Sequence, residues 1–207
     1  MVDAPRPQTH GWQLHPALGC GHARVDVIMQ AGRRFYLDPA RYFGPRDSME
    51  TKTNPMRHLD RLKIPYEAIH TEGAFVNGLE LARANGQDPS RVFKTLMTVG
   101  KEKCYYCFLV PVTGELDLKK AAASVGEKSV SMLKSDQLLN LMGYVHGGCS
   151  PLCTKRPVRI TVDETAKDAD YMYFSAGKVG WQLKVNVSDL PRMMEFQFAD
   201  IRKPAVP

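Results

Sequence analysis

The chain has 207 residues, 43% of them hydrophobic and 24% charged, with a formal net charge of +6. That balance suits a domain with its own core and excludes disorder as the main state. Its longest apolar runs, such as residues 108–112, stop far short of the roughly 18 residues that a membrane-spanning helix needs. The charge permits a polyanionic partner without demanding one. No apolar stretch follows Pro5, Arg6 and Pro7, so no secretory signal is expected. The odd number of cysteines, five, then reads as free thiols in a cytoplasmic setting.

Composition shifts near Ser48. Residues 1–48 hold six basic residues, all arginine, whereas 14 of the 22 basic residues after them are lysine. The same segment carries five of the 14 prolines and five of the 16 glycines, with no sustained helical or strand period. It is expected to be a poorly ordered extension preceding a domain over 49–207, with Met49 as a candidate natural start. His10, His15, Cys20 and His22 have metal-capable side chains but no recognised ligand spacing.

From Asn54 onward the signals are cleaner. Asn54 followed by Pro55 predicts an N-cap and a first helical residue, and the apolar spacing continues to Ile64 before Pro65 stops it. Residues 66–70 read as a strand and 79–84 as a short helix closed by Asn85 and Gly86. Strands follow over 92–99 and 103–112, joined by a turn at Gly100 to form a hairpin. Helices are predicted over 116–125, ended by Gly126, and over 135–142, capped by Ser135 and ended by Gly143. Short strands over 158–162, 171–174 and 182–187 precede a last helical turn that begins at Ser188. Interleaved strands and helices with hairpin joins indicate a mixed α+β fold: one central mixed sheet with helices packed on it.

Three places could carry chemistry. Alternation puts Lys94 on one strand face with Val92 and Leu96. An ammonium so flanked snorkels to an edge, guards an edge strand, or lines an anion pocket. Gly147 and Gly148 precede Ser150 and Pro151, and such a loop can offer main-chain amides to a carbonyl or phosphate oxygen, although a plain connecting turn uses the same glycines. Ser175, Gly177 and Lys178 supply a hydroxyl, free amides and a cation, or simply a hairpin loop. Cys104 and Cys107, with Cys149 and Cys153, imitate two zinc knuckles. The first pair, however, sits in a strand whose alternation turns the thiols to opposite faces. A catalytic cysteine paired with His70 or His146 has no activating geometry in the sequence.

The ordered set of Val92-Phe93-Lys94-Thr95-Leu96, Gly114-Glu115-Leu116-Asp117-Leu118, Gly147-Gly148-Cys149-Ser150-Pro151, Ser175-Ala176-Gly177-Lys178 and Phe198-Ala199-Asp200-Ile201 resembles the YbaK family. These proteins are free-standing relatives of the editing domain of bacterial prolyl-tRNA synthetase, and the likeness is to the YbaK/EbsC-type Cys-tRNA(Pro) deacylases. It spans about residues 53–201. The resemblance implies a single domain with a partly barrel-like sheet that removes cysteine mischarged on tRNA(Pro). Lys94, Gly147 and Gly148 would be the catalytic residues, and Ser150, Ser175, Gly177 and Lys178 would bind substrate. The family mechanism lets the substrate's thiol attack its own ester, with no cofactor and no metal. The expected partners are the 3′ end of the aminoacyl-tRNA and, as a candidate, prolyl-tRNA synthetase, with no membrane. Ala176 replaces a glycine of some relatives, and Gln182 stands near an acidic residue of others. Editing of alanine and a non-catalytic tRNA-binding role therefore remain the alternatives.

Overall fold

In the computed structural model the described residues are 52–72 and 77–203, together with the backbone of 27–30 and 33–36. Contacts divide the chain into two units, Met1–Glu50 and Thr51–Pro207. In the first unit, β1 (Val27–Gln30) and β2 (Arg33–Tyr36) pair antiparallel, with Val27 opposite Tyr36. The sequence reading found no strand period in this segment, so this hairpin corrects it. The expected disorder of the rest of 1–48, and the His10, His15, Cys20 and His22 cluster, lie outside the described residues.

The second unit begins with α1 (Asn54–Leu62), whose cap is Thr53 and not Asn54. The Thr53 hydroxyl accepts from the Met56 amide at 3.4 Å, which moves Pro55 into the first turn, where its missing N–H costs nothing. Lys63 in the left-handed conformation ends the helix. β3 (Glu67–His70) follows, then α2 (Gly78–Ala84), capped by Asn77, whose Oδ1 accepts from the Leu79 and Glu80 amides. β4 (Phe93–Val99) and β5 (Tyr105–Pro111) form the expected antiparallel hairpin.

Next come α3 (Leu118–Val125), β6 (Ser131–Met132) and α4 (Ser135–Met142). α3 starts two residues later than its apolar pattern suggests, because Asp117 accepts from the Lys119 and Lys120 amides and fixes the first turn. The expected Ser135 cap is not used. Lys134 stands at the cap of α4 without a side-chain bond. β7 (Arg159–Asp163), β8 (Tyr171–Ser175), β9 (Trp181–Asn186), α5 (Leu190–Met193) and β10 (Phe196–Ala199) complete the unit.

One sheet runs β10-β7-β5-β4-β6 and the other β3-β9-β8. The first is mixed, with β5, β7 and β10 parallel to one another and β4 antiparallel to β5. The inner faces of both sheets close on one core: Phe93 and Met97 of β4 share it with Leu109 of β5, Phe174 of β8 and Leu183 of β9. The opposite face of β4 and β5 carries Leu96, Phe108 and Val110 against Ala121, Ala122 and Val125 of α3. The small alanines let that helix lie close to the sheet. The two sheets meet at a seam, the parallel bridge between Val92 and Tyr173, and Ala82 of α2 packs over it. This is the mixed, partly barrel-like sheet with surrounding helices that the sequence led us to expect. Among the described residues no helix is long and apolar enough to cross a membrane.

Candidate active site

The seam places the first two candidate residues. Val92 and Tyr173 are bridged in parallel register, so counting two residues along each strand brings Lys94 and Ser175 to matching positions. Because side chains alternate, both lie on the face opposite the shared core that receives Phe93 and Phe174. Lys94 is half-buried and makes no ion pair or hydrogen bond among the described residues. Burial lowers its pKa, and the charge of Glu115 works against that. Glu115 is itself held by Lys203, Nζ to Oε2, at 2.7 Å. Lys94 is therefore a partly desolvated cation whose nearest counter-charge is engaged elsewhere.

Ser175 is not idle: its Oγ accepts from the Gly177 amide at 3.2 Å, which shapes the turn that follows β8. Across the β8–β9 ladder it faces Gln182, one of the few buried polar side chains among the described residues. Gln182 Oε1 accepts from Asn85 Nδ2 at 3.2 Å and from Gln87 Nε2 at 3.0 Å. Thr71 Oγ1 in turn donates to Asn85 Oδ1 at 2.8 Å. Sequence reasoning missed this supporting network. Its only signal was a polar residue at a buried strand position.

The remaining candidates form a second assembly, two loops packed backbone to backbone. Gly147 has φ 79°. A Cβ on Gly148 would meet the Val179 nitrogen at 3.1 Å and the Lys178 carbonyl carbon at 3.3 Å. Gly177, at φ 90°, has no room either: a Cβ there would lie 2.9 Å from Tyr144 Cε1 and 3.1 Å from Pro55 Cγ. Both loops are thus held by glycine contacts that any side chain would push apart. Ser150 is fully buried, and its Oγ accepts from the Leu152 amide at 3.3 Å, while the Tyr144 hydroxyl donates to the Leu152 carbonyl. Ser150 as placed braces the loop. The Lys178 ammonium lies 5.9 Å from the Trp181 ring centroid, and Trp181 stacks on His70 at 4.5 Å.

The segment 175–180 links the two assemblies, with Ser175 two residues past the Tyr173 bridge at one end and Lys178 and Val179 against Gly148 at the other. The amides of Gly147 and Cys149 take part in no hydrogen bond among the described residues. Main-chain amides without an internal acceptor are the groups that stabilise an oxyanion where a substrate can reach them. Burial works against activation of three of the described cysteines. Burial pushes the Cys149 thiol up to about 11, and its Sγ donates to the Val145 carbonyl at 3.6 Å. Cys107 is driven up further by complete burial, and Cys153 is raised for the same reason. At neutral pH all three are thiols, not thiolates. Cys104 and Cys107 end on different sides, one exposed and one buried. Among the described residues no three His, Cys, Asp or Glu side chains are grouped to hold a metal ion.

Comparison with known proteins gives a consistent result. The profile of the aminoacyl-tRNA editing domain matches residues 78–193. The Cys-tRNA(Pro)/Cys-tRNA(Cys) deacylase EbsC of Enterococcus faecalis is 34% identical over 154 residues, covering 73% of this chain and 94% of its own. Among solved structures, a trans-editing enzyme for prolyl tRNA synthetase superposes with a TM-score of 0.65 at 22% identity, covering 73% of this chain and 98% of its own. The protein APE2540 does so with the same TM-score at 18% identity, over 71% and 97%. At such identities the two structures bear on the fold alone.

Proposed function

The chain belongs to the aminoacyl-tRNA editing domain family, and from that premise we propose that it is a free-standing deacylase that cleaves the ester of cysteine mischarged on tRNA(Pro). The observation that carries the proposal is the Val92–Tyr173 bridge, from which Lys94 and Ser175 are each two residues along their strands, with one short segment running from Ser175 to the loop of Gly147 and Gly148. A terminal phosphate of the tRNA supplies the counter-charge that Lys94 lacks. Ser175, Gly177 and Lys178 seat the terminal adenosine. The free amides of the glycine loop face the ester carbonyl, where one well-placed donor to an oxyanion is worth about 3–4 kcal/mol.

No protein nucleophile is required in this scheme. The cysteinyl thiol of the substrate attacks its own carbonyl carbon, forming a C–S bond. The tetrahedral oxyanion collapses with loss of the C–O bond to the ribose, and the thiol proton goes to the departing ribose oxygen. The products are a four-membered thiolactone and free tRNA. Fixing the rotamer in which sulfur approaches carbon turns the reaction into a positioning problem, to which well-oriented intramolecular attack contributes about 7–11 kcal/mol. The raised Cys149 pKa supports this route, because the one thiol inside the glycine loop is held protonated.

The test compares tRNA(Pro) charged with cysteine, S-methylcysteine, alanine and proline, with and without prolyl-tRNA synthetase. The proposal expects cysteine release, no release of S-methylcysteine, and loss of activity in Lys94→Ala. Alanine release equal to cysteine release would replace the substrate assignment. S-methylcysteine release would replace the mechanism. A cytoplasmic site of action and a complex with the synthetase belong to the same proposal, and dependence of turnover on added synthetase tests the latter.

A further inference from the structure

A cavity of about 270 Å³ lies away from the glycine loops, at the start of β4 and the end of β5. Its lining includes Arg91, Arg202, Asp88, Asp168, Thr113 and Thr165. The volume falls just under the range of about 300–1,000 Å³ typical of pockets for drug-sized ligands, which limits the occupant to a small metabolite.

The charges in the lining are unevenly used. Arg91 rests on Tyr171, 5.6 Å from the ring centroid, and reaches Asp88 only at 4.0 Å. Its buried Nη1 has no hydrogen-bond partner. Asp88 is engaged by Ser90, whose amide and hydroxyl both donate to Oδ1 at 2.9 and 2.8 Å. Arg202 Nε sits 3.0 Å from the buried Asp163 Oδ1, but off the line of a hydrogen bond. Asp163 is already committed to the Thr165 hydroxyl at 2.5 Å and to the Thr165 amide at 3.2 Å. Asp168 is exposed at the rim and has no ion pair or hydrogen bond to its carboxylate among the described residues. Two guanidinium groups and the Asp168 carboxylate thus line one cavity, and that carboxylate has no partner among the described residues.

We propose that this cavity binds a free α-amino acid, with its carboxylate between Arg91 and Arg202 and its ammonium against Asp168. Charge balance decides against a phosphate. Asp88, Asp168 and the adjoining Asp163 outnumber the two arginines, so a dianion would enter a net negative site, whereas a zwitterion matches both signs at once. The cavity binds its ligand without any part of the ester-cleaving machinery, so its occupancy is measured on the full chain in the absence of tRNA.

L-Alanine is the probe, followed by calorimetry and by shifts of the arginine side-chain NMR signals. Acetate and methylammonium each supply one half of its charge pattern, and inorganic phosphate is the competing anion. Saturable L-alanine binding is expected, at least about tenfold tighter than either half-ligand, with a further loss of about tenfold in Arg91→Gln and in Asp168→Asn. Asp168 lies on an exposed turn, so its variant keeps the test decisive even if Arg91→Gln does not fold. The proposal is overturned if L-alanine does not saturate. It is overturned equally if phosphate binds more tightly than L-alanine and Asp168→Asn leaves alanine binding unchanged.

Discussion

Gly148 and Val179 meet backbone to backbone, with only 3.1 Å between the Val179 nitrogen and the place a Cβ on Gly148 would occupy. Val179 is anchored in a turn that Gly180 ties to the residue just after β3, where the Thr71 amide donates to the Gly180 carbonyl at 2.9 Å. The contact therefore cannot relax by moving a flexible side chain. Gly148→Ala should lower kcat/KM for deacylation at least about tenfold, about 1.4 kcal/mol of transition-state free energy. The overpacking itself should cost about 1–3 kcal/mol of stability, read as a lower Tm. Unchanged kinetics with a lowered Tm would remove the glycine loop from the reaction.

Lys94 carries a pH signature. Burial lowers its folded-state pKa below the ordinary lysine value, so between that lowered value and 10.5 the unfolded chain holds the proton that the native chain has lost. Stability contributed by this group therefore rises with pH across that window. Affinity for tRNA moves the opposite way, since the cation that meets the phosphate disappears. Lys94→Arg should keep binding flat through the same window, because guanidinium stays charged. Lys94→Met should give a protein no less stable than the wild type at neutral pH yet weak in tRNA binding. Filter binding against pH, paired with thermal unfolding, reads both.

Cys149→Ala should leave kcat nearly unchanged. The thiol is buried and protonated, and it donates to Val145 in place of activating anything. Deacylation kinetics of the variant measure this, and a drop of a hundredfold or more would make the thiol a nucleophile after all.

Tyr144→Phe tests the brace of the glycine loop. It removes the hydroxyl that donates to the buried Leu152 carbonyl, and leaving a buried acceptor unpaired costs about 1–3 kcal/mol. Burial raises the phenol pKa beyond the physiological range, so the destabilisation should be the same from pH 6 to 9. Urea unfolding at several pH values gives the comparison.

The fold was readable where a single physical signal ruled each element. The β4–β5 hairpin followed from alternation, and α3 and α4 from glycines that end them in the left-handed conformation, Gly126 and Gly143. Caps were harder, because Thr53, Asn54 and Ser135 are all acceptable and only the incoming backbone angle chooses among them. β6 and β10 escaped notice for a different reason. Two residues give β6 no period at all, and the strand character of both comes from partners distant in the chain, Thr98 and Val99 for β6 and Ile160 to Asp163 for β10. The candidate site divides the same way. Lys94, Gly147, Gly148, Ser175, Gly177 and Lys178 could be singled out by residue type. The amides of Asn85 and Gln87 on Gln182 depend on a sequence separation of more than 90 residues, which no local pattern announces. The family likeness supplied what alternation alone could not, a choice among three roles for Lys94.

The single bridge between Val92 and Tyr173 has one more consequence. Past a lone bridged pair, two strands are free to diverge, and their divergence sets the gap between Lys94 and Ser175. The seam is backed from outside by the fully buried methyl group of Ala82, packed with Val92 and Tyr173. A larger side chain at Ala82 would therefore shift β4 against β8, and Lys94 relative to Ser175, from a helix that carries neither residue.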